Sequence, residues 1–225
     1  MKVVIFGSSG MVGQGALREC LLDPEVTRVV TVVRAPSGKT DPKLHEIVTP
    51  DPSKLDAFTS ELTGLDACFF CIGVSSAGMS EADYRRVTYD LTVAVAQTLV
   101  QRSPGMVFVF VSGAGTDSAG DAAKGSSMWA RVKGETENAV RAMPFKASYM
   151  FRPGFIEPLH GIRSRTRAYR WMYAVLWPLA PLVKALWPAS STTTENVGKA
   201  MLVAAKRGAP STIIDSRVIN ELAAT

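Results

Sequence analysis

Three glycines, Gly7, Gly10 and Gly13, follow the run Val3-Val4-Ile5-Phe6, and a helix-forming segment, Gln14 to Leu22, comes directly after them. A strand that passes into a helix through glycines leaves the first helical N–H groups free, and they point with the positive end of the helix dipole into the turn. The chemistry this offers is phosphate binding, with Gly7, Ser8, Ser9, Gly10, Met11, Val12 and Gly13 as candidate contacts. The spacing is G-x-x-G-x-x-G, not the G-x-G-x-x-G of the common dinucleotide fingerprint. Context adds what spacing lacks. Val12, Ala16, Leu17, Cys20 and Leu21 give the helix an apolar face, and a second strand follows at Arg28–Val33, which completes a βαβ unit.

Arg34 ends that second strand, twenty-one residues after Gly13. An acidic residue there would hold the ribose hydroxyls of NAD, whereas an arginine pairs with the 2′-phosphate of NADP. NADP is therefore the expected cofactor and NAD the less favoured one. Ser8 and Ser9 supply hydroxyl donors nearby, Lys39 is a further cation, and Asp51 is a candidate acceptor for the adenine amino group. The same Asp51, in Pro50-Asp51-Pro52, also has the makings of simple turn chemistry.

These residues need a scaffold, and the rest of the chain describes one. Strands are expected at Leu44–Thr49, Leu65–Gly73, Met106–Val111 and Lys146–Phe151, with helices at Ser53–Leu62, Ser80 to about Arg102 and Met128–Met143. Ser80 with Asp83, and Thr192 with Glu195, read as capping boxes, the second opening a helix that a short strand at Thr212–Ile214 follows. Tyr84, Val87, Leu91, Val95 and Leu99 make an apolar stripe at helical spacing. The alternation predicts an α/β fold, a Rossmann-type doubly wound parallel sheet with helices on both faces. Ligands bind such sheets beyond the carboxyl ends of the strands. That directs attention to Cys71, Ile72 and Gly73, to Ser112, and to Arg152, Pro153, Gly154 and Phe155.

With 225 residues, 47% of them apolar, the chain is expected to be a single NAD(P)-binding domain over 1–225, with 155–192 as a lid or partner segment. A formal charge of +5 suits an anionic ligand, but no basic block interleaved with aromatics marks a nucleic-acid site before residue 163. Cys20, Cys68 and Cys71 lie in apolar patterns and read as reduced core thiols, so a cytoplasmic protein without a metal is expected. Arg163, Arg165, Arg167 and Arg170 precede the apolar run Trp171–Ala189, which Pro178, Pro181, Pro188 and Lys184 interrupt. That pattern excludes a transmembrane span and leaves peripheral membrane contact through 163–189 open. A small-molecule substrate, or none, and a monomer or homodimer complete the expectation.

Ser112 emerges at the end of a strand and Lys133 lies in the next helix, within Trp129-Ala130-Arg131-Val132-Lys133-Gly134-Glu135. With Gly7 to Gly13, Asp66 to Gly73, Val111-Ser112 and Arg152-Pro153-Gly154, these motifs make about residues 1–205 resemble the short-chain dehydrogenase/reductase superfamily. The likeness is to its atypical NAD(P)-dependent epimerase/dehydratase-like branch, and closest to the Tat-interacting oxidoreductase group. The resemblance implies a serine that orients substrate, a tyrosine acid/base and a lysine that lowers the tyrosine pKa and holds the nicotinamide ribose. By position the serine is Ser112 and the lysine Lys133, but the tyrosine position is Trp129. An indole N–H donates a hydrogen bond and exchanges no proton near neutral pH. Either another group, with Tyr84, Tyr89 and His160 as candidates, supplies the proton, or the protein binds cofactor without the usual chemistry. Two functions follow: an NADP-dependent oxidoreductase or epimerase-like enzyme on a small carbonyl or hydroxyl compound, and a catalytically silent NADPH-binding regulator or scaffold.

Overall fold

Runs such as Val-Val-Ile-Phe and Val-Phe-Val-Phe-Val bury side chains on both faces of a strand, which only the interior of a parallel sheet covered by helices accommodates. A computed structural model, which describes residues 1–119, 127–162 and 190–225, contains such a sheet. Its strands are β1 (Lys2–Phe6), β2 (Arg28–Val33), β3 (Leu44–Val48), β4 (Ala67–Phe70), β5 (Val107–Val111), β6 (Ala147–Arg152) and β9 (Ile213–Asp215). They run in the order β3-β2-β1-β4-β5-β6-β9, every pairing parallel. The chain leaves β1 toward β2 and later returns to β4 on its other side. That reversal opens the crevice at the strands' carboxyl ends.

Alternation along each strand divides the core in two. Val3 and Ile5 of β1 join Ala16, Leu17 and Cys20 of helix α1 (Met11–Leu22) on one face. Val4 and Phe6 join Val95, Ala96 and Leu99 of α3 (Leu91–Arg102) on the other. Helix α4 (Met128–Arg141) shares this second face, while α5 (Thr194–Arg207) and α6 (Ser216–Ala223) lie with α1. Helices α1 and α5 meet backbone to backbone. A Cβ on Gly15 would stand 2.3 Å from the Thr194 carbonyl oxygen, and one on Gly198 would stand 2.9 Å from that of Gly15. Only glycine allows this approach.

Three local differences from the expected elements have physical causes. The expected helix at 53–62 is a single 3₁₀ turn, Asp56–Phe58. Asp51 Oδ1 accepts from the Ser53 N–H and hydroxyl, while Thr59 and Thr63 donate to the Asp56 and Thr59 carbonyls, so side chains compete for the backbone there. The helix at Ser80–Arg102 is present and is capped by Ser80, whose Oγ accepts from the Asp83 N–H at 3.1 Å. It divides into α2 (Glu81–Arg85), a π turn (Arg86–Asp90) and α3. The second cap is Thr193, accepting from Asn196 N–H at 3.0 Å, one residue beyond the position expected. Its neighbour Thr192 belongs to β8 (Ser191–Thr193), which pairs in parallel with β7 (Phe155–Glu157) to form a second sheet of two strands. Both ends of the expected lid region 155–192 thus belong to this small sheet, and residues 163–189 lie outside the described residues.

Candidate functional site

The glycine turn is held by contacts that exclude any side chain. Gly7 has φ +78°, and a Cβ on it would stand 2.8 Å from the Cys71 carbonyl group. A Cβ on Gly13 would fall 2.1 Å from the Gly7 carbonyl oxygen. Gly10 donates to that same oxygen at 2.9 Å and caps α1 with no side-chain hydrogen bond, in a first turn that carries no acidic residue. The N-terminal N–H groups of α1 therefore face the crevice beside a backbone surface that a pyrophosphate can approach closely. The turn fits a dinucleotide.

A cleft of about 770 Å³ runs along the sheet's carboxyl edge. Gly7, Ser9, Gly10, Met11 and Val12 form its floor, and Arg34, with Pro50 and Pro52, stands at one end. Cys71, Ile72 and Gly73 follow in the middle, then Ser112, Lys133, Pro153 and Gly154. Residues separated by more than a hundred positions in sequence thus share one surface. Gly13 and Ser8 shape the turn without lining the cleft.

At the second end, Lys133 Nζ donates to the Val111 carbonyl at 3.2 Å and lies 5.3 Å from the centre of the Phe110 ring. Burial brings its pKa down to about 8, against a smaller upward pull from Glu137. Close packing positions α4 and so this amine: a Cβ on Gly134 would overlap the Asp117 carbonyl oxygen at 1.7 Å. Ser112 is fixed by its N–H to the Phe151 carbonyl at 2.7 Å. Its hydroxyl contacts Thr116 Oγ1 at 2.8 Å, and Thr116 donates to the Gly113 carbonyl at 2.8 Å. Thr116 is a site residue that sequence reasoning missed, since a threonine in a glycine-rich loop carries no distinguishing spacing.

Other expected residues lie elsewhere. Arg152 turns away from the cleft to a two-pronged pair with Glu137, which is fully buried, and also donates to Ser118 Oγ at 2.8 Å. Asp51 is held by Ser53, which keeps its carboxyl below the usual range, and takes no part in the cleft lining. Phe155 belongs to β7 and does not line the cleft, although Ile156 does. Trp129 packs against the Gly113–Gly115 loop, its ring 3.5 Å from where a Gly115 Cβ would stand, and is likewise absent from the lining.

None of the substitute proton donors reaches the cleft. Tyr84 is buried, Tyr89 lies under the Arg85 guanidinium 4.3 Å away, and His160 pairs with Glu195 at 2.6 Å. No described tyrosine lines the cleft. Cys71 does, but burial pushes its thiol up to about 12, which leaves it inert. Among the described residues no cluster suits a metal ion, and no helix is long and apolar enough to cross a membrane. The expected membrane contact through 163–189 lies outside those residues. Of the apolar helical stripe, Tyr84, Val95 and Leu99 are buried, whereas Val87 and Leu91 line the cleft, Leu91 also packing on the core as Ile72 does.

A dinucleotide turn on a parallel sheet with a serine and a lysine at the opposite end of one cleft defines a class, and the comparisons agree with it. Residues 3–130 match the NAD dependent epimerase/dehydratase family, and the chain belongs to that family. It is 33% identical over 163 residues to "Protein fmp52, mitochondrial" of Emericella nidulans, covering 69% of this chain and 66% of that protein. To "Protein fmp52-1, mitochondrial" of Aspergillus terreus it is 34% identical over 174 residues, 74% and 70% of the two chains. The chain thus spans just under two thirds of the first relative and slightly more of the second. Among solved structures, the Bordetella bronchiseptica enzyme WbmF in complex with NAD⁺ superposes with a TM-score of 0.68 over 99% of this chain and 76% of that one. At 17% identity this likeness speaks for the fold alone.

One expectation changes. These relatives are named mitochondrial, which overturns the cytoplasmic placement drawn from the reduced cysteines, and their names, FMP52, do not mention the Tat-interacting group. A reduced thiol reports the redox state around it, not the compartment.

Proposed function

We propose that the chain binds NADP(H) along this cleft and acts as an oxidoreductase or epimerase-like enzyme on a small carbonyl or hydroxyl compound. The observation that carries the reading is that Arg34, the Gly7–Val12 turn, Ser112 and Lys133 line one continuous cleft. In this reading the α1 N–H groups take the pyrophosphate and Arg34, which is exposed, takes the 2′-phosphate. Cys71, Ile72, Gly73, Pro153 and Gly154 pack beside the nicotinamide half. Lys133 holds a ribose hydroxyl and, with its pKa near 8, both holds and releases a proton close to neutral pH. Ser112 orients the substrate oxygen. A bound nicotinamide dinucleotide supplies or takes the hydride. The likeness of the motifs to Tat-interacting oxidoreductases supports the same reading, and the names of the FMP52 relatives support a mitochondrial setting. Residues 155–192 would then cover the substrate, in a single domain that works as a monomer or homodimer without nucleic acid.

Trp129 favours a second reading, a NADPH-binding protein without turnover, because it offers no exchangeable proton and no described tyrosine replaces it in the cleft. Fluorescence titration separates the cofactor question from the catalytic one. NADPH is expected to bind roughly tenfold more tightly than NADH, about 1.4 kcal/mol, and Arg34→Asp is expected to abolish that preference. Equal affinities, or an unchanged preference in the variant, would remove Arg34 from the assignment. Absorbance assays with NADPH and a panel of aldehydes, ketones and quinones then decide the rest. No turnover, with none gained in Trp129→Tyr, would leave the binding-only reading standing.

A further inference from the structure

The π turn at Arg86–Asp90 is a local departure from helical geometry that the dinucleotide reading does not use. Leu91 N–H reaches back to the Arg86 carbonyl, one residue further than in an α-helix, and the Thr92 hydroxyl takes the Thr88 carbonyl at 2.5 Å. Thr92 and Thr88 are buried, so this widening is held from the core side. Wide turns of this kind inside helices recur at functional sites. Here the outer side of the turn presents Val87 and Leu91 to the cleft, both partly exposed. The turn packs against α4, the helix that carries Lys133, so this apolar pair sits toward the Lys133 end and not the Arg34 end.

Among the described residues charge is scarce at that end. Arg34 and Lys133 are the only cationic side chains among the described lining residues, and Arg34 belongs to the far end. Arg152, close by in sequence to Pro153 and Gly154, has its guanidinium committed to buried Glu137. Polar groups laid against the side chains of Val87, Leu91 and Ile156 would lose water and gain no hydrogen bond from those three, whereas an apolar group would gain contact.

We propose that Val87 and Leu91 are specificity-determining residues that make the Lys133 end of the cleft favour a small apolar carbonyl or alcohol compound over a nucleotide sugar. The inference rests on the NADP(H) reading above and deepens it by naming the substrate class.

The test uses the full chain and two probes, acetophenone and UDP-glucose. NADPH is titrated first, by fluorescence, and each probe is then titrated by calorimetry onto the chain saturated with NADPH. Acetophenone is expected to bind more tightly than UDP-glucose. Leu91→Asn and Val87→Asn are each expected to weaken acetophenone roughly tenfold, the scale on which an apolar pocket discriminates. Leu91→Ala, which adds no polar group, serves if the asparagine variants do not fold, and is expected to weaken it several-fold. UDP-glucose binding as tightly as acetophenone would overturn the proposal, as would absence of acetophenone binding or variants that bind it like the parent chain. If NADPH itself fails to bind, the cofactor reading falls separately. The same ordering of the two probes is then expected on the free chain, and its absence there would overturn this proposal too.

Discussion

Ser112 gives its hydroxyl proton to Thr116, across 2.8 Å. Thr116 has one proton, and donating it to the Gly113 carbonyl leaves its oxygen to accept from Ser112. In this direction both contacts are hydrogen bonds, whereas the reverse would make only one. Ser112 therefore turns lone pairs toward the cleft. The partner it best accepts is a hydroxyl, while Lys133 supplies the donor.

Thr116→Val removes both bonds at constant shape and is expected to cost about 1–3 kcal/mol in urea unfolding. Thr116→Ser keeps the hydroxyl and should stay within about 1 kcal/mol of the parent chain. Equal losses in the two variants would mean that the methyl group, not the hydroxyl chain, matters.

Lys133 has an amine held near 8 in the folded state against an ordinary 10.5, so between those values the unfolded chain binds more protons than the folded one. Stability from this group then rises with pH through that window, and its full cost is present below about 8. Lys133→Met is expected to be more stable than the parent at pH 7 by about 2 kcal/mol, less than the shift alone implies because the amine meets the cleft. The difference should vanish as pH approaches 10.5. In the parent chain, NADPH affinity should fall as pH rises through about 8 and the ammonium is lost.

Gly13→Ala would place a methyl group 2.1 Å from the Gly7 carbonyl oxygen. The turn and the start of α1 cannot both stay in place. A loss of about 3 kcal/mol or more is expected in thermal or urea unfolding, with NADPH binding abolished in whatever remains folded. Tight NADPH binding by this variant would show that the glycine turn does not hold the pyrophosphate.

Arg152→Met leaves Glu137 buried without its partner, and such losses run to about 3–5 kcal/mol. The double variant Arg152→Met with Glu137→Leu is expected to recover much of that in the same measurement. A double variant no better than the single one would show that the charge pair is not the source of the cost.

The sheet was legible because its signal is redundant. Val3 to Phe6, Leu65 to Gly73 and Met106 to Val111 are apolar runs with turn residues at both ends, and each became a central strand. Gly7 to Gly13 was legible for a related reason, since a backbone that must touch backbone leaves glycine as its record. Side-chain direction was less so. Arg152 sits where a parallel strand meets the cleft, yet it turns toward Glu137, a partner fifteen residues earlier that periodicity marks only as helical surface. Val87 and Leu91 share the spacing of Val95 and Leu99, and what separates them is a one-residue widening of the helix that leaves no mark in composition. Trp129 was the reverse case. Its chemistry was plain from its residue type, and the structure added that it packs on Gly113 and Gly115.

The parallel pairing of β7 with β8 sets Phe155 beside Ser191 and Glu157 beside Thr193, and the Leu159 N–H to Thr194 Oγ1 bond at 3.0 Å clamps the same neck. Ile156, one residue from that neck, lines the cleft. The scaffold therefore has a socket: both ends of whatever stretch is spliced between them are fixed at the cleft rim, whatever its sequence. In the reading where residues 155–192 cover the substrate, a change of sequence between the two anchored ends would alter what the cleft admits without disturbing the sheet and glycine turn beneath it.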